Sequence, residues 1–159
     1  MKRFIYHYTL LASAALLLAA CGPSEREEEA EQTVLRFAET YFGCHYKEAA
    51  QLCTPSSEKW IRFVATNVTD SDLIVLNQSD VEPQYEVDDL NAIDDSTMTA
   101  TIEANHYFHL HDIGQKADIK EADTYTFTLR RINGQWKIDL ASVPRPASQP
   151  QYKQYHVRY

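Results

Sequence analysis

Three features of the sequence predict an α+β fold. Apolar residues recur at helical spacing from about Glu27 to Val68 and at strand spacing beyond Val81. Near the C-terminus, Asn133-Gly134 separates two alternating runs, the pattern of a tight β-hairpin. Helices followed by strands predict N-terminal helices packed on one face of an antiparallel sheet of three to four strands.

The first helix opens near Glu27 and carries Ala30, Val34, Phe37, Ala38 and Tyr41 at three- and four-residue steps. Acidic residues in its first turn suit the positive end of the helix dipole, and Gly43 is a stop signal. A second, short helix covers "HYKEAAQLC", with Tyr46, Ala49, Ala50 and Cys53 on one side. In "TPSSEKWIRFVATNV" Thr54 reads as the cap of a third helix, Pro55 as its first residue, and Trp60, Phe63 and Val64 as its apolar side. The stretch "DSDLIVLNQSD" fits either a continued helix or a short strand.

A weak strand around "PQYEVDDLNAI" then turns through Asp94-Asp95-Ser96 into "STMTATIEANHYFHL". Strict alternation there puts Met98, Ala100, Ile102, Ala104, His106, Phe108 and Leu110 on one face. Thr97, Thr99, Thr101, Glu103, Asn105, Tyr107, His109 and His111 fall on the other. In "TYTFTLRRINGQWKIDLA" a two-residue turn pairs Ile132 with Gln135, Arg131 with Trp136, Leu129 with Ile138 and Phe127 with Leu140. Arg131 opposite Trp136 reads as a cation–π pair that supports the hairpin. Beyond it, three prolines between Pro144 and Pro150 predict an extended segment. The last eight residues hold Tyr152, Tyr155, Tyr159, Lys153 and Arg158 and no acid. They read either as a tail lying against the sheet or as a segment that adds a strand to a partner or to its own sheet edge.

The N-terminus carries a separate message. Lys2 and Arg3 precede the apolar run Phe4 to Ala20, and Leu18-Ala19-Ala20-Cys21 closes it. That order describes a secretory signal segment, too short for a comfortable membrane span, which needs about 20 apolar residues. Leu18 to Cys21 resembles the bacterial lipobox, which implies cleavage before Cys21 and lipidation of its thiol. The implied organisation is a signal peptide over 1–20, an acidic tether over 21–28, the α+β domain over 29–141 and a Pro- and Tyr-rich tail over 142–159. Gly22, where an inner-membrane retention signal has Asp, points to an outer-membrane lipoprotein, periplasm-facing or surface-exposed. The acidic stretch Ser24 to Glu29 is similar to the export signal of Bacteroidetes surface lipoproteins, although Arg26 interrupts it. Asp95-Ser96-Thr97 is similar to the Bacteroidetes O-glycosylation pattern. Without residues 1–20 the chain loses Lys2 and Arg3, leaving 13 Lys+Arg against 23 Asp+Glu and a formal charge of −10. Such acidity argues against nucleic acid and anionic lipid surfaces as partners.

The run "FAETYFGCHYKEAAQLCTPSSEKW" followed by "RRINGQWKIDL" resembles the cystatin-like domains of bacterial lipoproteins, within the nuclear-transport-factor-2-like superfamily. This resemblance spans roughly residues 28–141 and implies a curved sheet wrapped over a helix, enclosing a cone-shaped cavity. The superfamily contains isomerase-like enzymes, dehydratases, scaffolds and binding modules, so it implies no single activity.

Candidate chemistry centres on "NHYFHLHD", Asn105 to Asp112. His106, inward by alternation, could act as a general base in the implied cavity with Tyr125 as its polar partner. An enzyme of this type needs an open cavity at His106, whereas a structural domain fills it with Trp60, Phe63, Phe37 and Phe108. His109 and His111, both outward, could present two imidazoles to a metal, although no third ligand is evident. Of the cysteines, Cys44 and Cys53 would be about 13 Å apart if the interval between them were helical. A disulfide therefore requires the chain to fold back after Gly43; otherwise they are two small buried thiols. No motif calls for a cofactor. The expected role is a lipid-anchored binding or accessory module for a protein or small apolar ligand, with an isomerase- or dehydratase-like enzyme as the alternative.

Overall fold

Ser24 caps the first helix in the structure, a computed structural model that describes residues 24–112 and 114–149. The expected signal segment over residues 1–20, Cys21 and residues 150–159 lie outside the described residues. Helix α1 spans Glu25–Phe42. Ser24 Oγ accepts the Glu27 N–H at 3.3 Å, and the Glu27 carboxylate accepts the Ser24 N–H at 2.8 Å, a reciprocal capping box. The acidic stretch expected as a tether is thus helical from Glu25 onward. Ala30, Val34, Phe37, Ala38 and Tyr41 are all buried, as the periodicity predicts.

Helix α2 covers Tyr46–Gln51 and helix α3 covers Glu58–Ala65. α3 begins one turn later than expected, with Ser57 rather than Thr54 at the cap position. Thr54 is committed elsewhere: its N–H donates to the Ile138 carbonyl at 2.9 Å, and Ile138 N–H donates to Leu52 O at 2.9 Å. Its hydroxyl meets Ser57 Oγ at 2.7 Å and Asp139 Oδ1 at 3.0 Å, so the connector is sewn to the last strand instead of starting a helix. The ambiguous segment is helix α4, Asp70–Asn77. Thr69 and Asp72 form its capping box, and Asp72 Oδ1 also accepts the Ala117 N–H at 3.1 Å.

Four antiparallel strands follow in the order β1-β2-β3-β4: Gln84–Asp94, Thr97–His109, Asp118–Ile132 and Gln135–Asp139. The predicted hairpin register holds for Ile132↔Gln135, Arg131↔Trp136 and Leu129↔Ile138. Pairing stops at Thr128↔Asp139, one step short of Phe127 and Leu140. Asn133 and Gly134 have φ of 51° and 82°, as a two-residue turn of this hand requires. Both Arg131 and Arg26 lie over the Trp136 ring, at 6.0 and 5.4 Å. Helix α1 crosses the sheet and packs on all four strands. Alanines at 30, 38, 100 and 104, each fully buried, let helix and sheet approach closely. Phe37 meets Phe127 edge-on at 5.2 Å in the centre of this layer.

Irregularities bend the sheet. β1 shifts register between Val87 and Asp89 and again between Ala92 and Asp94, the signature of β-bulges. β2 is interrupted at His106, whose φ of 51° is left-handed and whose partner in β3 drops out of the ladder. Beyond this break the burial no longer alternates. Before the break Met98, Ala100, Ile102 and Ala104 are buried; after it Tyr107, Phe108 and His109 are all buried, while His106 is exposed. This overturns the predicted orientations of His106, Tyr107 and His109, because strict alternation holds only while every residue stays extended; Phe108 is buried as expected.

Candidate functional site

A cavity of about 1180 Å³ opens beside the far half of β2. Tyr41 and Phe42 of α1, Tyr46 of α2, and Trp60, Phe63 and Val64 of α3 form one side. Phe108 to Asp112, Tyr125 and the segment Ala141 to Arg145 with Gln149 form the other. Trp60, Phe63 and Phe108 therefore line a cavity instead of filling one, and Phe63 at the rim is 47% exposed. His106 does not reach it; that side chain borders a smaller groove with Glu39, Gly43 and Val81.

The histidine at the cavity is His109, 6% exposed. The break at His106 turns His109 toward Tyr125, the polar residue predicted to face inward, which is 2% exposed. Three side chains continue from it as a relay. Tyr125 donates its hydroxyl proton to Tyr107 Oη at 3.0 Å, and Tyr107 donates to Asp123 Oδ2 at 2.9 Å. Ser148 Oγ donates to the other Asp123 oxygen at 2.6 Å. His109 Nδ1 lies 3.3 Å from Tyr125 Oη and 3.5 Å from Tyr107 Oη. Since both phenol protons are committed, the hydrogen of that contact belongs to Nδ1, a tautomer assigned from the network. Nε2 is then the acceptor of the ring, and it takes a hydrogen bond from the Gln149 side-chain amide at 3.4 Å.

Burial, aided by the neighbouring His111, lowers the pKa of His109 and keeps its imidazole neutral. Burial likewise raises the Tyr107 and Tyr125 phenols, so both remain protonated donors. The site thus offers walls that are largely apolar and aromatic, polar side chains such as Asn67, Asp112 and Arg145 in the lining, and a buried His109 imidazole oriented by Tyr125 and Tyr107. Asp123 and Tyr107 carried no signal in the alternation pattern. The one available hint was Asn105-His106, since both residue types are enriched among left-handed non-glycine positions.

His111 stands edge-on to His109 at 4.6 Å and pairs with Asp118 at 3.1 Å. No group of three His, Cys, Asp or Glu among the described residues could hold a metal ion. Cys44 and Cys53 are free thiols, and burial pushes the Cys53 thiol up to about 12. Asp94 to Ser96 form the expected exposed turn. From Leu140 to Gln149 the chain is packed: Pro146 is buried, Ala147 N–H donates to Thr124 O at 2.8 Å, and Arg145 pairs with Asp112 at 2.9 Å.

No family model matches the sequence, and no curated protein is similar to it. Solved structures do share its architecture. A ketosteroid isomerase-like protein from Erwinia carotovora atroseptica superposes with a TM-score of 0.51 at 12% identity, covering 73% of this chain and 92% of the other. A nuclear-transport-factor-2-like protein with a cystatin-like fold from Novosphingobium aromaticivorans gives 0.50 at 13% identity, covering 84% and 89%. At such identities the likeness speaks for the fold alone. The chain has an α+β fold of the nuclear-transport-factor-2-like, cystatin-like kind.

Proposed function

We propose that this protein is a lipid-anchored envelope module that binds a small, largely apolar molecule carrying one hydroxyl or N–H group. The observation that carries the reading is the cavity itself: aromatic walls converging on His109 Nε2, a neutral acceptor whose orientation the Tyr125–Tyr107–Asp123 relay holds. Pockets for small ligands combine mainly apolar lining with a few placed polar groups, and this one has that character. Anchoring rests on the lipobox-like Leu18 to Cys21 and would tether the domain to the outer membrane.

The probe for a test is N-phenyl-1-naphthylamine, an apolar fluorophore with a single N–H. Saturable one-to-one binding is expected, and Val64→Trp, which fills the cavity, should abolish it while the fold persists by circular dichroism. A wild-type titration without saturation, or unchanged binding by Val64→Trp, would remove the reading.

The neutral imidazole favours a second reading, an acid–base enzyme of the isomerase or dehydratase type. In it His109, not His106, takes a proton at Nε2 and Tyr125 holds the ring. Exchange of a ligand's acidic C–H with deuterium from solvent, lost in His109→Phe, would distinguish catalysis from binding alone.

A further inference from the structure

We propose that the cavity takes an anionic amphiphile, an apolar molecule whose carboxylate replaces Asp112 against Arg145 at the mouth. The inference rests on reading the cavity as a ligand site and adds to it the charge of the ligand. Among the described residues that line the cavity, Arg145 is the one arginine or lysine. His111 lines it as well, but stands against Asp118 at 3.1 Å. Arg145 pairs with Asp112 at 2.9 Å, and the two side chains differ sharply in exposure, 18% against 74%. The cation therefore belongs to the cavity wall, whereas the carboxylate that balances it reaches in from solvent.

The backbone holds the cation in place. Arg145 lies between Pro144 and Pro146, and the following proline restricts it to extended conformations. Pro146 is buried, and the Ala147 N–H fastens the next residue to Thr124 O at 2.8 Å. A guanidinium presented this way can receive a carboxylate through two parallel N–H···O bonds. Asp112 meets it through Oδ1 at Nη2. A pair with so exposed a partner contributes little stability, so exchanging Asp112 for a ligand carboxylate costs little. The apolar part of such a ligand has Trp60, Phe63 and Val64 of α3 to lie against. At about 1180 Å³ the cavity exceeds the roughly 300–1,000 Å³ usual for drug-sized ligands, which leaves room for an alkyl chain. The chain's formal charge of −8 repels anions at long range, but salt at 0.1 M screens that repulsion beyond about 10 Å. At the guanidinium itself the local attraction wins.

Displacement of bound N-phenyl-1-naphthylamine by decanoate and by decanol tests this, because the two share a chain and differ in head group. With both below their aggregation thresholds, decanoate should act at about tenfold lower concentration than the alcohol. Arg145→Gln should bring the two within about twofold of each other, and Arg145→Lys should keep part of the preference. Asp112→Asn should raise the preference by about threefold, since it removes the competing carboxylate. Equal displacement by acid and alcohol in the unaltered protein would overturn the inference while leaving the ligand cavity standing. A preference that survives Arg145→Gln would overturn it too, as would a preference lost in Asp112→Asn, which would make the ion pair a fixed latch. A fluorophore that never binds would instead strike the ligand-site reading, and the inference with it.

Discussion

At the scale of single residues, one backbone angle decides which histidine serves the cavity. His106 holds a left-handed φ of 51°, and past it Tyr107 and His109 are buried instead of outward. A non-glycine residue in that region costs about 1–2 kcal/mol, relieved by glycine at the expense of backbone entropy. His106→Gly should therefore leave stability within about 1 kcal/mol of the wild type, whereas His106→Val should lower it by more than 1 kcal/mol in urea unfolding. Equal losses in both variants would mean that the side chain matters more than the angle. His109 makes a prediction about pH. Its folded pKa is lowered by burial, so the unfolded chain takes up the proton first as pH falls. The stability this histidine contributes is complete above the ordinary value of 6.5 and is lost as pH drops below it. Urea midpoints measured on either side of 6.5 should show that loss in the wild type, and His109→Phe should remove this component.

Among the elements, those whose local signals agree with their packing were legible from sequence. The stripe of α1 and the Asn133-Gly134 hairpin come out as expected, because period, turn chemistry and burial all demand the same structure. Where tertiary contacts compete with local preference, the sequence misleads. Thr54-Pro55 is a good helix start, yet Thr54 bridges to Ile138 and α3 waits for Ser57. β2 reads as one uninterrupted strand because nothing in Asn105-His106 forces a break, and the histidine orientations were lost with it. α4 was ambiguous since its run Leu73 to Leu76 has no helical face, and its identity rests on the Thr69–Asp72 box. Asp72 also satisfies the Ala117 N–H, and hydrogen bonds from Thr69 hold its carboxyl below the usual range. Asp72→Asn should cost about 2 kcal/mol, part from the weakened cap and part from a poorer partner for Ala117. A denaturant midpoint equal to the wild type would show that α4 docks by its apolar contacts alone.

For the whole molecule, the sheet bends at the bulges of β1 and at His106, and the helices close one side of the concavity without filling it. The fold class and layer order were readable in the periodicity, but a cavity is a property of distances between elements, which no local pattern encodes. The N-terminal sequence supplies the remaining part of the proposal. Cys21→Ser should move the protein from the membrane fraction to the soluble fraction without altering probe binding; retention in the membrane would remove the anchor from the account. The central claim is that His109, not His106, is the polar end of a ligand cavity. Titrating N-phenyl-1-naphthylamine into His109→Phe and His106→Ala tests it most directly. Loss of one hydrogen bond, about 1 kcal/mol, should raise Kd about fivefold for His109→Phe. His106→Ala should bind as the wild type does. A weakened His106→Ala, or a His109→Phe variant that binds unchanged, would contradict the account.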